Sequence, residues 1–139
     1  MKKWQKILTA FLLLAALVFC GLWIYEKNDQ SEMEALCQGN AMRALQSFED
    51  YAVTGSGAEY WYGVAEFYAF MNNRKALMDD ADTEYLYCNI VYGYMILQPE
   101  RVQENMPALL EAMQLLGTDY TNPNGYLRMA ELGNILQHG

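Results

Sequence analysis

Nineteen consecutive uncharged residues fill positions 7–25 with the sequence ILTAFLLLAALVFCGLWIY, in which only Thr9 is polar. As a helix, this stretch would be about 28 Å long, close to the thickness of the hydrocarbon core of a bilayer. Trp4 lies just before it, and Trp23 and Tyr25 end it. Amphipathic aromatic rings favour the two headgroup regions of a membrane. The stretch therefore predicts one transmembrane helix in contact with the lipid bilayer.

The charges on the two sides of this helix predict its orientation. In the leader, residues 1–6, all the charged side chains are positive: Lys2, Lys3 and Lys6. The other side begins with both signs, Glu26, Lys27 and Asp29. Under the positive-inside rule, the N-terminus lies in the cytoplasm and residues 26–139 form an extracytoplasmic domain. We expect a single-pass protein of a bacterial cell membrane.

Two kinds of processing compete with an uncleaved anchor. A signal peptide usually has an apolar region of about 7–15 residues and small residues at its cleavage site. Here the region is longer, and Val18-Phe19-Cys20 has no A-x-A character. Leu17-Val18-Phe19-Cys20 resembles the lipobox of bacterial lipoproteins, but Phe19 stands where that motif has a small residue. The sequence favours the uncleaved anchor.

The part after the anchor is strongly acidic. Residues 28–139 carry five basic and sixteen acidic side chains, a net charge of −11. Such a surface repels nucleic acids and anionic lipids. It keeps a small domain soluble, and it would also suit a basic partner. About 110 residues are enough for one domain with one hydrophobic core.

The pattern of apolar residues predicts an all-α domain, since no segment after residue 28 alternates as a strand does. Five helices are expected, over residues 29–54, 57–77, 81–97, 98–116 and 122–137. The first can continue directly from the anchor, and Pro107 should kink or restart the fourth. Short turns make consecutive helices antiparallel neighbours. The predicted fold is thus one transmembrane helix followed by about five antiparallel helices.

Several local features are expected within these helices. Ser56 and Glu59 have the spacing of a capping box. The second helix is apolar nearly all round and should be central, and the third should bury Leu86, Ile90, Val91, Tyr94 and Leu97. Mid-helix glycines such as Gly63 and Gly93 suggest a close approach of two helix backbones. Acids before and in the third helix are better explained as caps than as a calcium loop, because EF-hand spacing is lacking: Asp79, Asp80, Asp82 and Glu84.

Part of the domain resembles tetratricopeptide repeats. The motif W-x2-L-G-x2-Y of their first helix has its spacing reproduced by Trp61, Val64, Ala65 and Tyr68, with Val and Ala replacing Leu and Gly. The spacing returns 26 residues later, in Tyr87, Ile90, Val91 and Tyr94. True repeats return after 34 residues. The resemblance implies helical hairpins of that kind without the repeat itself.

Catalytic chemistry is not indicated by the sequence. The only histidine is His138, and the chain has no phosphate-binding or dinucleotide-binding glycine motif. We therefore expect no enzyme, no cofactor and no metal site. Cys37 and Cys88 lie in different predicted helices, so a disulfide is geometrically allowed, and two buried thiols are the alternative.

Tyrosine is the unusual component of the domain. It combines a large apolar ring with a hydrogen-bonding tip and is enriched at recognition surfaces. The candidate residues for binding a protein or peptide partner are Tyr60, Trp61, Tyr62, Tyr85 and Tyr92. Alternatively, these rings fill the outer core. Two functions follow: a membrane-tethered interaction module, or a small structural subunit of a larger membrane assembly of the export or conjugation type.

Overall fold

The computed structural model describes residues 2–78 and 83–139, apart from the side chain of Glu84. All regular secondary structure in these residues is α-helical, which confirms the predicted class. The six helices are α1 (Lys3–Thr54), α2 (Gly57–Leu77), α3 (Thr83–Leu97), α4 (Pro99–Glu104), α5 (Met106–Thr118) and α6 (Pro123–His138).

The chain divides into two compact units, Met1–Glu32 and Met33–Gly139. In the first, α1 contains an apolar stretch that is long enough to cross a membrane, and none of this stretch is buried by described residues. The predicted anchor and the first predicted helix of the domain both belong to α1. The structure thus has one N-terminal helix where the sequence allowed either one or two.

The second unit has a single hydrophobic core to which every helix contributes. From α1 the buried residues recur at four- and three-residue steps, which places them on one side of the helix: Cys37, Ala41, Ala44 and Phe48. From the other helices the largest buried side chains include Phe67, Phe70, Met95, Leu109, Met113, Leu116, Tyr126, Met129 and Leu132.

The turn from α1 to α2 contains a glycine in the left-handed conformation and lacks the predicted capping box. Gly55 has a φ of 68°, a conformation that glycine adopts without a steric penalty, and its N–H donates to the carbonyl of Tyr51 at 2.7 Å. Ser56 occupies the N-cap position of α2 without a side-chain hydrogen bond. Its backbone N–H donates instead to Thr54 Oγ1 at 3.2 Å. The hydroxyl of α1's last residue thus stabilises the turn.

Prolines lie in the first turns of the last three helices, and the predicted restart at Pro107 is one of them. Pro99 and Pro123 lie in the first turns of α4 and α6, and the Asn122 side chain accepts a hydrogen bond from the N–H of Asn124 at 2.9 Å. Pro107 restarts the chain as α5 after a break at Asn105. The predicted start of the third helix lies outside the described residues, as do its acidic caps Asp79, Asp80 and Asp82.

Two predicted helix faces are only partly correct, since Val91 of α3 is buried as predicted while other predicted positions are exposed. The core face of α3 consists of Cys88, Val91 and Met95, whereas Leu86 and Leu97 are exposed. Nearly every position of α3 is apolar, so its periodicity does not select one face. Likewise, α2 is not covered on all sides, because its aromatic residues Trp61, Tyr62 and Tyr68 face away from the core.

Candidate functional site

A buried arginine lies between α2 and α6. The Arg74 side chain is only 1% exposed, its Nε donates to the hydroxyl of Tyr126 at 2.7 Å, and its guanidinium lies 4.4 Å from the centre of that ring. The Tyr126 hydroxyl in turn donates to the backbone carbonyl of Tyr120. Burial raises the pKa of Tyr126, against the effect of the arginine charge. The arrangement ties α2 to α6 and to the turn before α6.

The positive charge of Arg74 interacts with the thiol of Cys37. Cys37 is a free cysteine whose Sγ donates to the carbonyl of Phe70 at 3.8 Å. Burial raises the pKa of this thiol to about 12, although the positive charge of Arg74 acts in the opposite direction. Because the thiolate is the nucleophilic form, this burial disfavours the reactive form of Cys37 at neutral pH. Cys88 is also buried, and the structure has no disulfide between Cys37 and Cys88. It therefore matches the alternative of two buried thiols.

Polar side chains of α1 connect it to its neighbours. Gln38 donates to the carbonyls of Leu116 and Gly117 at 3.0 and 2.7 Å, and its Oε1 accepts from the N–H of Tyr120 at 2.8 Å. It therefore satisfies carbonyls that the end of α5 leaves without helical partners. Farther along α1, Asn40 donates to Glu66 at 2.8 Å. These contacts have structural roles.

The prediction that Tyr60 lies on the surface and binds a partner is wrong. Its side chain has no exposed surface, and its hydroxyl donates to the carbonyl of Met95 at 3.0 Å. Burial is the main cause that raises the pKa of this hydroxyl. The ring packs edge-on against Trp61, with 5.1 Å between the centroids. Tyr60 therefore supports the neighbouring tryptophan from inside the core.

Four aromatic side chains of α2 and α3 lie along one seam, and we call Trp61, Tyr68, Tyr85 and Tyr92 the aromatic strip. Tyr68 stacks on Tyr92 with 5.2 Å between ring centroids and 26° between their planes. Lys75 extends over the ring of Tyr85, with its ammonium 6.0 Å from the centroid. Trp61 and Tyr68 are about half exposed, whereas Tyr85 and Tyr92 are partly buried against the core.

The aromatic strip contains three of the residues predicted to bind a partner, Trp61, Tyr85 and Tyr92. Its fourth residue was not among those predicted. The omitted residue, Tyr68, follows Trp61 by seven positions, and this spacing places the two on one side of a helix. That spacing was the signal available in the sequence. Tyr62 is 65% exposed but lies about 100° around α2 from Trp61, outside the strip.

Two of the grooves in the described part of the domain lie next to α2 and α3 but outside the strip. Tyr62 borders one of about 310 Å³ between α1 and α2, together with Arg43, Asp50 and Glu66. The other, about 330 Å³, lies between α3 and the end of α6 and is lined by Asn89, Ile90, Gly93, Tyr94, Leu97, Gln98 and Gln137. Neither is lined by Trp61, Tyr85 or Tyr92, so these residues are presented by the outside of the α2–α3 pair.

The mid-helix glycines differ in what surrounds them. A Cβ on Gly63 would lie 2.6 Å from the ring of Phe48, so the absence of a side chain makes room for this buried ring. A Cβ on Gly93 would have no described side chain or neighbouring helix within 4 Å. The predicted close approach of a second helix is therefore wrong for Gly93, while at Gly63 the nearest neighbour is the Phe48 side chain. Gly93 lowers helix stability by about 1 kcal/mol relative to alanine without a packing reason inside its own domain.

Among the described residues, no three histidine, cysteine or carboxylate side chains are grouped so as to hold a metal ion. His138 is exposed at the end of α6. No protein-family model, no curated protein and no solved structure matches this chain.

Proposed function

We propose that the chain is a single-pass membrane protein whose extracytoplasmic helical domain binds a basic protein or peptide through the aromatic strip. The apolar part of α1 supports the anchor, because it has the length of a bilayer core and is not buried by described residues. The positive leader and the acidic domain support an orientation with the N-terminus in the cytoplasm.

The exposure of Trp61 and Tyr68 is the observation that carries the binding function. Tryptophan and tyrosine dominate the energetics of protein interfaces, and tyrosine pairs supply a large contact area at low cost in side-chain entropy. Contacts pair Tyr60 with Met95, Tyr68 with Tyr92, and Lys75 with Tyr85. This descending order supports an antiparallel α2–α3 hairpin with a continuous outer seam. The charge of −11 on residues 28–139 favours a basic partner.

Photo-crosslinking tests the strip directly. With a benzophenone amino acid at Trp61 or at Tyr68 in the full-length chain, we expect one and the same crosslinked partner in intact membranes. Trp61→Ala should lower the yield from position 68 at least tenfold, because buried aromatic anchors at interfaces contribute about 2 kcal/mol or more. Higher salt should lower it further, since a basic partner is attracted by charge.

Leu127 provides the control, because it is 56% exposed on α6, away from the strip. The benzophenone at Leu127 should not capture that partner, and Leu127→Ala should leave the yield from position 68 unchanged. Equal capture from all three positions would show nonspecific proximity and would contradict the proposal. So would capture from neither strip position.

The orientation has its own prediction. Val53 is 87% exposed, so Val53→Cys should react with a membrane-impermeant maleimide added to intact cells. The unmodified chain should remain unlabelled, because Cys37 and Cys88 are buried and Cys20 lies in the apolar stretch. Labelling of Val53→Cys only after the membrane is permeabilised would place the domain in the cytoplasm.

A structural subunit of a larger membrane assembly is the second candidate, and one observation favours it. Met42 and Val53 are exposed apolar residues of α1, and their eleven-residue separation places them on one side of the helix. A photo-crosslinker at Met42 that captures a partner, while positions 61 and 68 capture none, would favour this function over the first.

A further inference from the structure

The outer side of α3 is an apolar surface that the domain leaves exposed at Leu86 and Leu97 and covers in part at Ile90, which lies beside Gly133 of α6. The residues of this surface follow one another at four-, three- and four-residue steps, and we call Leu86, Ile90, Gly93 and Leu97 the α3 outer face. Leu97 is 80% exposed, and Ile96 beside it is also exposed. Three of the residues that line the adjoining groove of about 330 Å³ belong to this face: Ile90, Gly93 and Leu97.

The charge of this surface indicates what covers it. The whole chain is acidic, but residues 85–97 contain no charged side chain. The polar residues of the groove are the uncharged amides Asn89, Gln98 and Gln137, and Arg101 lies at its edge, 5.5 Å from the ring of Tyr94. A second copy of this acidic chain can bring its own uncharged face against this one without like-charge repulsion at the contact.

Gly93 lies in the middle of the outer face. The domain gives this glycine no packing role, since no described side chain lies near the position of its Cβ. A helix from outside would make use of the gap, because the distance between two packed helices depends on the side chains at their crossing. An amphipathic or apolar helix face with a small residue at its centre pairs well with itself.

We propose that two copies of this chain associate through their α3 outer faces, with the two Gly93 residues at the crossing. The interface is isologous, so both copies contribute the same residues. One helix pair buries little area, which places the association among weak interfaces. Two chains anchored in one membrane are held at a high effective concentration, and this strengthens the association. That last step rests on the proposed anchor.

Disulfide crosslinking in membranes tests the crossing. Gly93→Cys, in a full-length chain that also carries Cys20→Ser, should give a product of twice the 16.0 kDa chain mass upon oxidation with copper phenanthroline. A residue on the two-fold axis contacts the same residue of the other copy, whether the two α3 helices run parallel or antiparallel. Within one chain, a Cβ at position 93 meets no described neighbouring atom within 4 Å, so the cysteine fits. The matched position Leu127→Cys should give at least tenfold less dimer.

Charge insertion then tests the face. Leu97→Asp, added to the Gly93→Cys chain, should lower the dimer yield at least fivefold, because each copy would place a carboxylate in the apolar contact. Leu127→Asp, at another exposed leucine, should leave the yield within twofold. Equal dimer from positions 93 and 127, no effect of Leu97→Asp, or crosslinking at position 93 to a protein of another size would overturn the proposal.

The same membranes separate failure of the dimer from failure of the anchor. Carbonate extraction should leave the chain in the membrane pellet if the apolar stretch spans the bilayer. A chain that stays in the pellet but gives no dimer at position 93 contradicts the α3 contact alone. A chain that is released contradicts the anchor, and dimer formed by released chains would still support the contact.

Discussion

Replacing Arg74 by alanine is expected to lower the free energy of unfolding by about 3–5 kcal/mol, the largest effect of any single substitution considered for this chain. Two causes add. The guanidinium stacks on Tyr126 and donates to its hydroxyl, so its removal takes a charge-assisted hydrogen bond from a buried acceptor. It also leaves a cavity, because Arg74 is the largest of the fully buried side chains.

Two further variants separate the causes. Arg74→Met keeps much of the volume and none of the hydrogen bonding, so it should lose clearly less than Arg74→Ala. Tyr126→Phe keeps the ring under the guanidinium and removes only the hydroxyl, which should cost about 1–3 kcal/mol. Urea unfolding of the full-length chain in a mild detergent, followed by circular dichroism, gives all three values. A loss below 1 kcal/mol for Arg74→Ala would contradict the structural role assigned to this residue.

Arg74 also illustrates what the sequence could not predict. It lies in the polar run Asn72-Asn73-Arg74-Lys75 at the end of α2, where cations suit the helix dipole at an exposed position. Its burial depends on Tyr126, 52 residues away, and no local pattern reports that pairing. The bounds of α2 and the starts of α4 and α6 were predictable, because glycine at position 55 and prolines at 99 and 123 act locally.

The aromatic residues of α2 also show that the sequence does not predict which side chains of a helix are buried. Tyr60, Trp61 and Tyr62 are consecutive, and each step turns the side chain by about 100° around the axis. One of the three is therefore buried and two are exposed. The cluster could be predicted from composition, but its division between core and surface depends on which side of α2 the other helices cover. In α3, where apolar residues occupy almost every position, this ambiguity made the predicted face only partly correct.

Alanine at Gly63 and at Gly93 should change stability in opposite directions. Gly63→Ala places a methyl group 2.6–3.0 Å from three carbons of the buried Phe48 ring, so the ring must move within a closed core. We expect a loss of about 1–3 kcal/mol in the free energy of unfolding. Gly93→Ala meets no described side chain and should gain about 0.4–1 kcal/mol from the lower entropy of the unfolded chain.

The comparison is made by urea unfolding in excess detergent, where the chains are dispersed and weak association does not contribute. Both substitutions add the same methyl group to the middle of a helix, so the intrinsic gain in helix propensity is common to them. The difference in sign then comes only from Phe48. If Gly63→Ala were as stable as Gly93→Ala, the packing of Phe48 against α2 would be wrong. Phe48→Leu should relieve the loss at position 63, because it removes the ring that the new methyl group meets.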